Sequence, residues 1–561
     1  MRIDVIDDDA GFASVRENWD QVYMRDPHAQ HFLSWSWLKS YLSRRTRWFV
    51  LALRESEPGS PYTAFFPLRL STYQDRKTGA FSDEIMMAGN FAADYTGFLS
   101  EPEYEEHAAR GFAAFLKSQH WTNLRLDNFT GSPKRREAML SAFRSEEFVL
   151  RKRPTTDDNG IDNCICPHVP LPESWEDYLE QQVSSQTRQK LRRLLRKLDG
   201  DEGYRVTYAT PATIDRDLDA LFTLWHSRWS EQKGEDRTNR LVVATRQMLM
   251  DSFDDGNLDV PVLWCGDRPL GVLANIIDRP KKTILFYITG RDETSKALSP
   301  GLLLHAYAIR RAISEGFRSY DFMRGNEPYK YLFGAEDRTI SCPIVRTRTG
   351  RNLGDVLHPL SIRHVYEQGT ELYKKGKKKE AEIAFQQVCE TVPDHMGARF
   401  GLAQLLFDQA RLTEAEAEFK QIAEKVDDRV PVLIRLGDTQ IALRRFDAAA
   451  ETFARVTKLA PDNSQAHYKR GVALVAAKRL AKAAKAFAAL QEFHSDDPAH
   501  ASYLAKAQAA LAQIAPVNAT HRPASDPSHS PVAALAGTKT AGRKKLRHST
   551  AIRQPELPLA R

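Results

Sequence analysis

The residues able to do chemistry concentrate between 283 and 333, in TILFYITGRDETSKALSPGLLLHAYAIRRAISEGFRSYDFMRGNEPYKYLF. A helix starting at Ser299, Pro300, Gly301 and Leu302 leaves its first N–H groups unpaired at the positive end of its dipole. Proline preorganises that first turn, and Gly301 admits a phosphate or a ligand backbone closely. Such a terminus after a strand suits an anion of the pyrophosphate kind, and Gly316 closes the helix. Groups able to move protons or hold charge surround it. Asp321 ends the next strand, where it can orient or deprotonate a nucleophile or else make turn hydrogen bonds. Tyr329 and Lys330 follow a glycine-containing loop; Lys330 can hold a phosphate or carboxylate, or both residues can be surface decoration. Tyr287 is an alternative acid or a core aromatic. His226, upstream, is a candidate general base or a helix-packing histidine, while His305 reads as packing. Six cations from Arg188 to Lys197 can meet an acidic substrate or form a solvated helix face. Cys164 and Cys166 form a CxC without companions among only five cysteines. They read as buried thiols, and no metal centre is expected.

These residues need elements to position them, and the first 350 residues alternate strand-like and helix-like segments, as mixed α/β layers do. A weak duplication is visible. RWFVLALRESEPGSPYTAFFPLRL and VPVLWCGDRPLGVLANIID both read as strand, turn, strand. After the first come a strand (DYTGFLS), a helix (EPEYEEHAARGFAAFLKSQ) and a strand (NLRLDNF). After the second come TILFYITG, GLLLHAYAIRRAISEG and RSYDFM. Two related domains are expected, 1–164 and 165–350. The acids of SEPEYEE would repel a phosphate, which places any cofactor in the second.

Beyond residue 361 the pattern changes. Ala381, Ala415, Ala449 and Ala483 are 34 apart, as are Phe385, Phe419, Phe453 and Phe487, and the small residues Gly369, Ala403, Gly437 and Gly471. A fixed period of this length marks a helical repeat array. Four repeats are expected over 361–498, a capping helix over 499–515, and a disordered basic tail over 516–561. The tail holds eight Lys or Arg against two acids, +6 of the chain's +7. The folded part is therefore nearly neutral, and no nucleic-acid partner is expected. No apolar run reaches the roughly 18 residues of a membrane span, the start lacks a secretory signal, and the sparse cysteines fit a reducing cytoplasm.

The repeats resemble the tetratricopeptide (TPR) family, whose second helix carries an alanine and an aromatic knob four residues on. That resemblance implies a concave groove for a protein partner, with Tyr373, Phe407 and Asp438 toward it. The segments SPGLLL and DFMRGNEPYK resemble GNAT acyltransferases of the type associated with cellulose and exopolysaccharide biosynthesis, related to the tandem-domain Fem transferases. LFTLWHSRWSEQKG is similar to a helix of that group, here carrying His226, Arg228 and Trp229, and the basic helix is also familiar there. SKALSPGLL departs from the usual GNAT phosphate loop in having a single glycine. The resemblance implies an acyl-CoA donor, acetyl-CoA or another, held by Phe286, Tyr287, Ile288 and Ser299–Leu302. Asp321 and His226 would act as bases, with Tyr329 protonating the leaving thiolate and Arg228, Trp229 and Lys330 binding the acceptor. It further implies transfer to an amino or hydroxyl group of a sugar, polysaccharide or envelope precursor. Alternatives are a Fem-like aminoacyltransferase, for which a charged helical-hairpin insertion is missing, and a non-catalytic GNAT-fold scaffold.

Overall fold

A computed structural model of the chain describes residues 1–519 apart from 58, 91, 201–202, 234, 295–298, 427–428 and 495–497. Two compact units result, residues 1–73 with 82–361, and residues 74–81 with 362 onward.

The first unit is built on two mixed sheets. One takes β1 (Arg2–Ile6), β2 (Trp48–Arg54), β3 (Tyr62–Gln74), β4 (Phe81–Met87), β5 (Leu99–Ser100), β6 (Asn123–Arg125) and β7 (Phe148–Lys152). The other takes β8 (Ile165–Pro170), β9 (Tyr204–Tyr208), β10 (Leu258–Asp259), β11 (Pro261–Cys265), β12 (Arg268–Asp278), β13 (Thr283–Arg291), β14 (Ser319–Asp321) and β15 (Glu336–Thr339). A last strand, β16 (Pro343–Thr347), returns to the first sheet between β6 and β7. The strand orders are β1-β2-β3-β4-β6-β16-β7 and β15-β8-β14-β13-β12-β11-β9. In each sheet a hairpin leads to a strand that pairs in parallel with the strand beyond a helix, β4 with β6 and β13 with β14.

This topology refines the sequence-based duplication at one strand. DYTGFLS contributes only the two-residue β5, hydrogen-bonded to β3, and FSDEIMM takes the place beside β6. The expected cut at 164/165, with the second domain running to 350, also differs from the strand pairing, because β16 belongs to the first sheet. A single buried cluster joins Trp37, Leu38 and Phe65 of the first half to Val262, Ala274 and Leu285 of the second. Residues of the helices Trp35–Leu42 and Ile214–Lys233 belong to the same cluster, so helices and strands leave water together here, as in a layered fold.

The second unit stacks helices in pairs: Ile362–Lys374 with Lys378–Thr391, Met396–Asp408 with Leu412–Lys425, Val430–Ala442 with Phe446–Leu459, and Ser464–Ala476 with Leu480–Ala488. The four periodic alanines and four periodic phenylalanines are all buried. Each first helix ends on a residue in the left-handed region, Gly376, Ala410, Arg444 and Lys478, again 34 apart. That conformation closes a helix C-terminus and normally selects glycine, yet only the first repeat has one. A closing helix, His500–Ala519, runs four residues past the expected cap; the remainder of the expected tail lies outside the described residues. Among the described residues no helix is long and apolar enough to cross a membrane.

Candidate active site

β13 carries the site. Its sequence, TILFYITGR, is rich in the β-branched and aromatic residues that favour strands, and β12 covers one edge along its whole length. On the other edge β14 pairs only from Thr283↔Ser319 to Leu285↔Asp321. Past that point the two parallel strands part, and Phe286–Arg291 has no strand partner on this edge among the described residues. A bulge coincides with the parting: Ala274 faces Ile288 and Asn275 faces Phe286, leaving Tyr287 as the extra residue. Bulges re-aim side chains locally. Phe286 packs edge-on to His305, centroids 4.5 Å apart. The Tyr287 hydroxyl donates to the Ala92 carbonyl at 3.1 Å. Burial, with Asp94 nearby, pushes the Tyr287 phenol above its ordinary value, so it stays a proton-bearing donor. Buried Asn275 leaves its side-chain oxygen unpartnered beside the bulge.

The helix Pro300–Ser314 starts at the far end of β13. Its cap, Ser299, makes no side-chain bond to the first turn, so those N–H groups are left for another acceptor. Two glycines let it and its neighbours close on the sheet. A Cβ on Gly271 would meet Pro300 and Leu304 side-chain carbons at 3.1 Å. One on Gly290 would strike the Leu221 carbonyl and come within 2.9 Å of Leu224 Cβ, pressing on the helix Ile214–Lys233. Arg291 brings a cation to this point: its guanidinium lies 3.6 Å from where a Gly301 Cβ would stand, and it pairs with Glu293 at 2.9 Å. The helix start offers N–H groups to a phosphate, and Arg291 can add its cation by exchanging Glu293 for it. The start of the helix at Pro300 and Gly301 thus shares one corner with Gly271 and Arg291, at the end of β13 beyond Phe286–Ile288, whereas residues 295–298 of the loop lie outside the described residues.

The other sequence candidates distribute differently. Asp321 is fully buried and has both oxygens occupied. Tyr95 donates to them at 2.8 and 2.9 Å, the Met323 N–H at 2.7 Å and Arg338 at 3.0 Å. The carboxylate read as a base is instead the centre of an internal ion pair that ties the end of β14 to the first half. Lys330, read as an acceptor ligand, is also buried: its ammonium donates to the Arg324 and Gly325 carbonyls, both at 2.8 Å, and pairs with Glu327. It holds the MRG loop closed and does not face a ligand. Tyr329 is over a third exposed and lies across His305, centroids 6.0 Å apart. His305 bonds the Tyr320 hydroxyl at 2.9 Å, and burial, with Lys330 and Arg291, pushes it down to about 3; it is neutral and packed, as its sequence context implied. His226 lines an open groove with Asn239 and Arg246, away from the Tyr287 face. The side chains of Arg228 and Trp229 lie outside the described residues. In the repeats Tyr373 donates to Asp408, and Asp438 accepts from Lys469 at 2.5 and 2.7 Å. Phe407 is half-buried.

A cavity of about 330 Å³ opens on the Tyr287 side of β13. The helix Trp35–Leu42 and the helix Glu235–Asp254 wall it, with His31 and Ala92 completing it. Nothing in the segment HFLSWSWL marks His31 as more than one more residue among aromatics. Arg291, Gly271 and Gly290 likewise have no motif of their own; only the closeness of a helix to a strand reveals them.

Residues 185–331 match the model of the acetyltransferase (GNAT) domain, and residues 366–429 and 434–500 match the tetratricopeptide repeat. No curated protein matches the chain. Among solved structures, FemX is similar at a TM-score of 0.42 and 10% identity, over 62% of this chain and 97% of that one. YrrB, a TPR protein with an unusual peptide-binding site, is similar at 0.24 and 19%, over 27% and 75%. MamA from Desulfovibrio magneticus RS-1 is similar at 0.24 and 14%, over 29% and 98%. The chain carries an acetyltransferase (GNAT)-type domain within its mixed α/β region, followed by tetratricopeptide repeats.

Proposed function

We propose that this protein is an acyl-CoA-dependent N- or O-acyltransferase, with acetyl-CoA or another acyl-CoA as donor. The observation that carries the reading is the parting of β13 and β14 after Leu285 and Asp321. It leaves backbone donors and acceptors of Phe286–Ile288 free for the amide-bearing arm of the donor and for its thioester carbonyl. The unpartnered Asn275 oxygen is a further acceptor beside the same bulge. Unbonded N–H groups at the Pro300 helix start and the Arg291 cation fit the donor's phosphates. Because Tyr287 keeps its proton, Tyr287 or the exposed Tyr329 donates a proton to the leaving thiolate. The acceptor is an amino or hydroxyl group of a sugar, polysaccharide or envelope precursor, and the repeats dock a protein partner.

Thiol release from acetyl-CoA, followed with and without amino and hydroxyl sugars, tests this reading. Sugar-dependent release with an acetylated product supports it. Release that occurs only with a charged tRNA as donor would assign aminoacyl transfer instead, and no donor binding at all would leave a scaffold.

A further inference from the structure

We infer that the cavity beside Tyr287 is the acceptor pocket, that it takes an uncharged sugar ring, and that His31 receives the acceptor's proton. The inference rests on the acyltransferase reading for its chemistry and on the cavity alone for its ligand.

The cavity lies on the opposite face of β13 from the Phe286–His305 packing, with Tyr287, the extra residue of the bulge, in its wall. Its volume, about 330 Å³, suits one or two pyranose rings. Its walls combine aromatic faces, Trp37, Tyr41 and Tyr287, with short polar side chains such as Ser36 and Asn257. Aromatic faces cover the C–H side of a sugar ring while amides and hydroxyls bond its rim. The charges in the wall cancel. Arg44 pairs with Asp251 at 2.7 Å, Arg45 stands 4.9 Å over the Tyr41 ring, and Asp255 is the second carboxylate. A strongly ionic ligand would find no net counter-charge here, whereas a neutral ring finds both donors and acceptors.

Two buried groups of this wall lack a hydrogen-bond partner among the described residues, the Trp37 indole N–H and the His31 ring, and of the two only the imidazole can accept a proton. His31 is 3% exposed. Its ring touches Phe32 and Trp37 edge-on, at 5.9 and 5.6 Å, and among the described residues neither ring nitrogen has a hydrogen bond. A buried imidazole with no partner is costly unless a ligand supplies one. Burial pushes it down to about 4, so it is neutral at pH 7 with a lone pair to offer.

The step then balances as follows. The acceptor oxygen or nitrogen attacks the thioester carbonyl carbon while its proton moves to the free imidazole nitrogen. The new C–O or C–N bond forms, the C–S bond breaks, and the thiolate leaves with the electron pair. The imidazolium's proton goes to that thiolate through solvent or a neighbouring hydroxyl, giving an ester or amide and a free thiol.

The test uses the full chain with methyl β-D-glucopyranoside and methyl 2-amino-2-deoxy-β-D-glucopyranoside as probes. Saturation-transfer NMR should show at least one probe bound to wild type. The signal should fall at least tenfold in Ala244→Trp, which fills the cavity, and in Thr245→Phe, a second filling variant in case the first misfolds. Acetyl-CoA affinity should be unchanged in both. With acetyl-CoA present, His31→Ala should lower kcat at least a hundredfold, and added imidazole should restore about tenfold of that loss, which loss of packing alone would not allow. Neither probe binding to wild type, or equal binding to the folded filling variants, overturns the pocket. Full turnover in His31→Ala, or a loss that imidazole does not relieve, overturns the base. Wild type that binds sugar but releases no thiol defeats the donor reading and the base with it, and leaves the pocket standing.

Discussion

Replacing the periodic glycines of the repeats by alanine should give a graded series whose order follows from the geometry. Gly369, Gly437 and Gly471 occupy the same position on successive first helices, and Ala403 fills it in the second repeat. An alanine at 369 would stand 3.0 Å from Ala384 Cβ and from the Phe385 ring. At 437 it would meet three Phe453 ring carbons at 2.5, 2.6 and 2.9 Å. At 471 it would press into Phe487, with two ring carbons at 2.5 Å and a third nearer still. Phe453 and Phe487 are fully buried, so neither ring can turn aside into solvent. Alanine gains about 1 kcal/mol over glycine in a helix interior, and overpacking of this kind costs about 1–3 kcal/mol. Gly369→Ala should therefore be close to neutral, with Gly437→Ala destabilising and Gly471→Ala more so, by about 1–2 kcal/mol net. For a body of this size that lowers the melting midpoint by roughly 4 °C. Helical ellipticity of the full chain followed through heating resolves the difference. A Gly471→Ala protein that melts at or above wild type would refute the packing argument.

Other expected outcomes are shorter to state. Ala410→Gly, Arg444→Gly and Lys478→Gly should each stabilise the array by about 0.5–1 kcal/mol, since these residues sit left-handed where glycine is unstrained; a lower denaturant midpoint would contradict this. Asp321→Ala should cost about 1–3 kcal/mol, because it leaves the buried Tyr95 hydroxyl without its acceptor and the partly exposed Arg338 without its partner, and urea unfolding measures it. Gly301→Asp should weaken acetyl-CoA at least tenfold, as the new carboxylate would lie within reach of Arg291 and capture it; equilibrium dialysis reads the change. His305 has a depressed folded value of about 3. The unfolded chain therefore binds its proton first, and stability should fall as pH drops below about 6.5, by up to about 1.4 kcal/mol per pH unit from this group. His305→Gln should flatten that slope in midpoints measured from pH 7 to 5.

What could be read from the residues followed the range of the interactions involved. The repeats were legible because a 34-residue period is written in single residues, and each alanine and phenylalanine is used the same way in every copy. The Pro300 helix start was legible because proline and glycine carry their conformational meaning locally. Asp321 and Lys330 were read for chemistry because their neighbourhoods, DFMRG and PYK, look like loop and strand-end positions. Their partners are distant or invisible in sequence: Tyr95 lies 226 residues away, and Lys330 binds carbonyls that every residue possesses. The first-half strand was placed at DYTGFLS for a similar reason. Its alternation is no worse than that of FSDEIMM, and only the parallel pairing with β6 decides between them. His31 had no signal because a buried histidine becomes conspicuous only when its cavity and missing partners are seen together.

The central claim is that the second sheet alone holds an acyl-CoA donor at the parting of β13 and β14. Isothermal titration of the full chain with acetyl-CoA addresses it most directly. One molecule per chain, bound with micromolar affinity and lost in Gly301→Asp, is the predicted result. Two sites per chain, or one that Gly301→Asp leaves intact, would contradict it, and so would no binding at all.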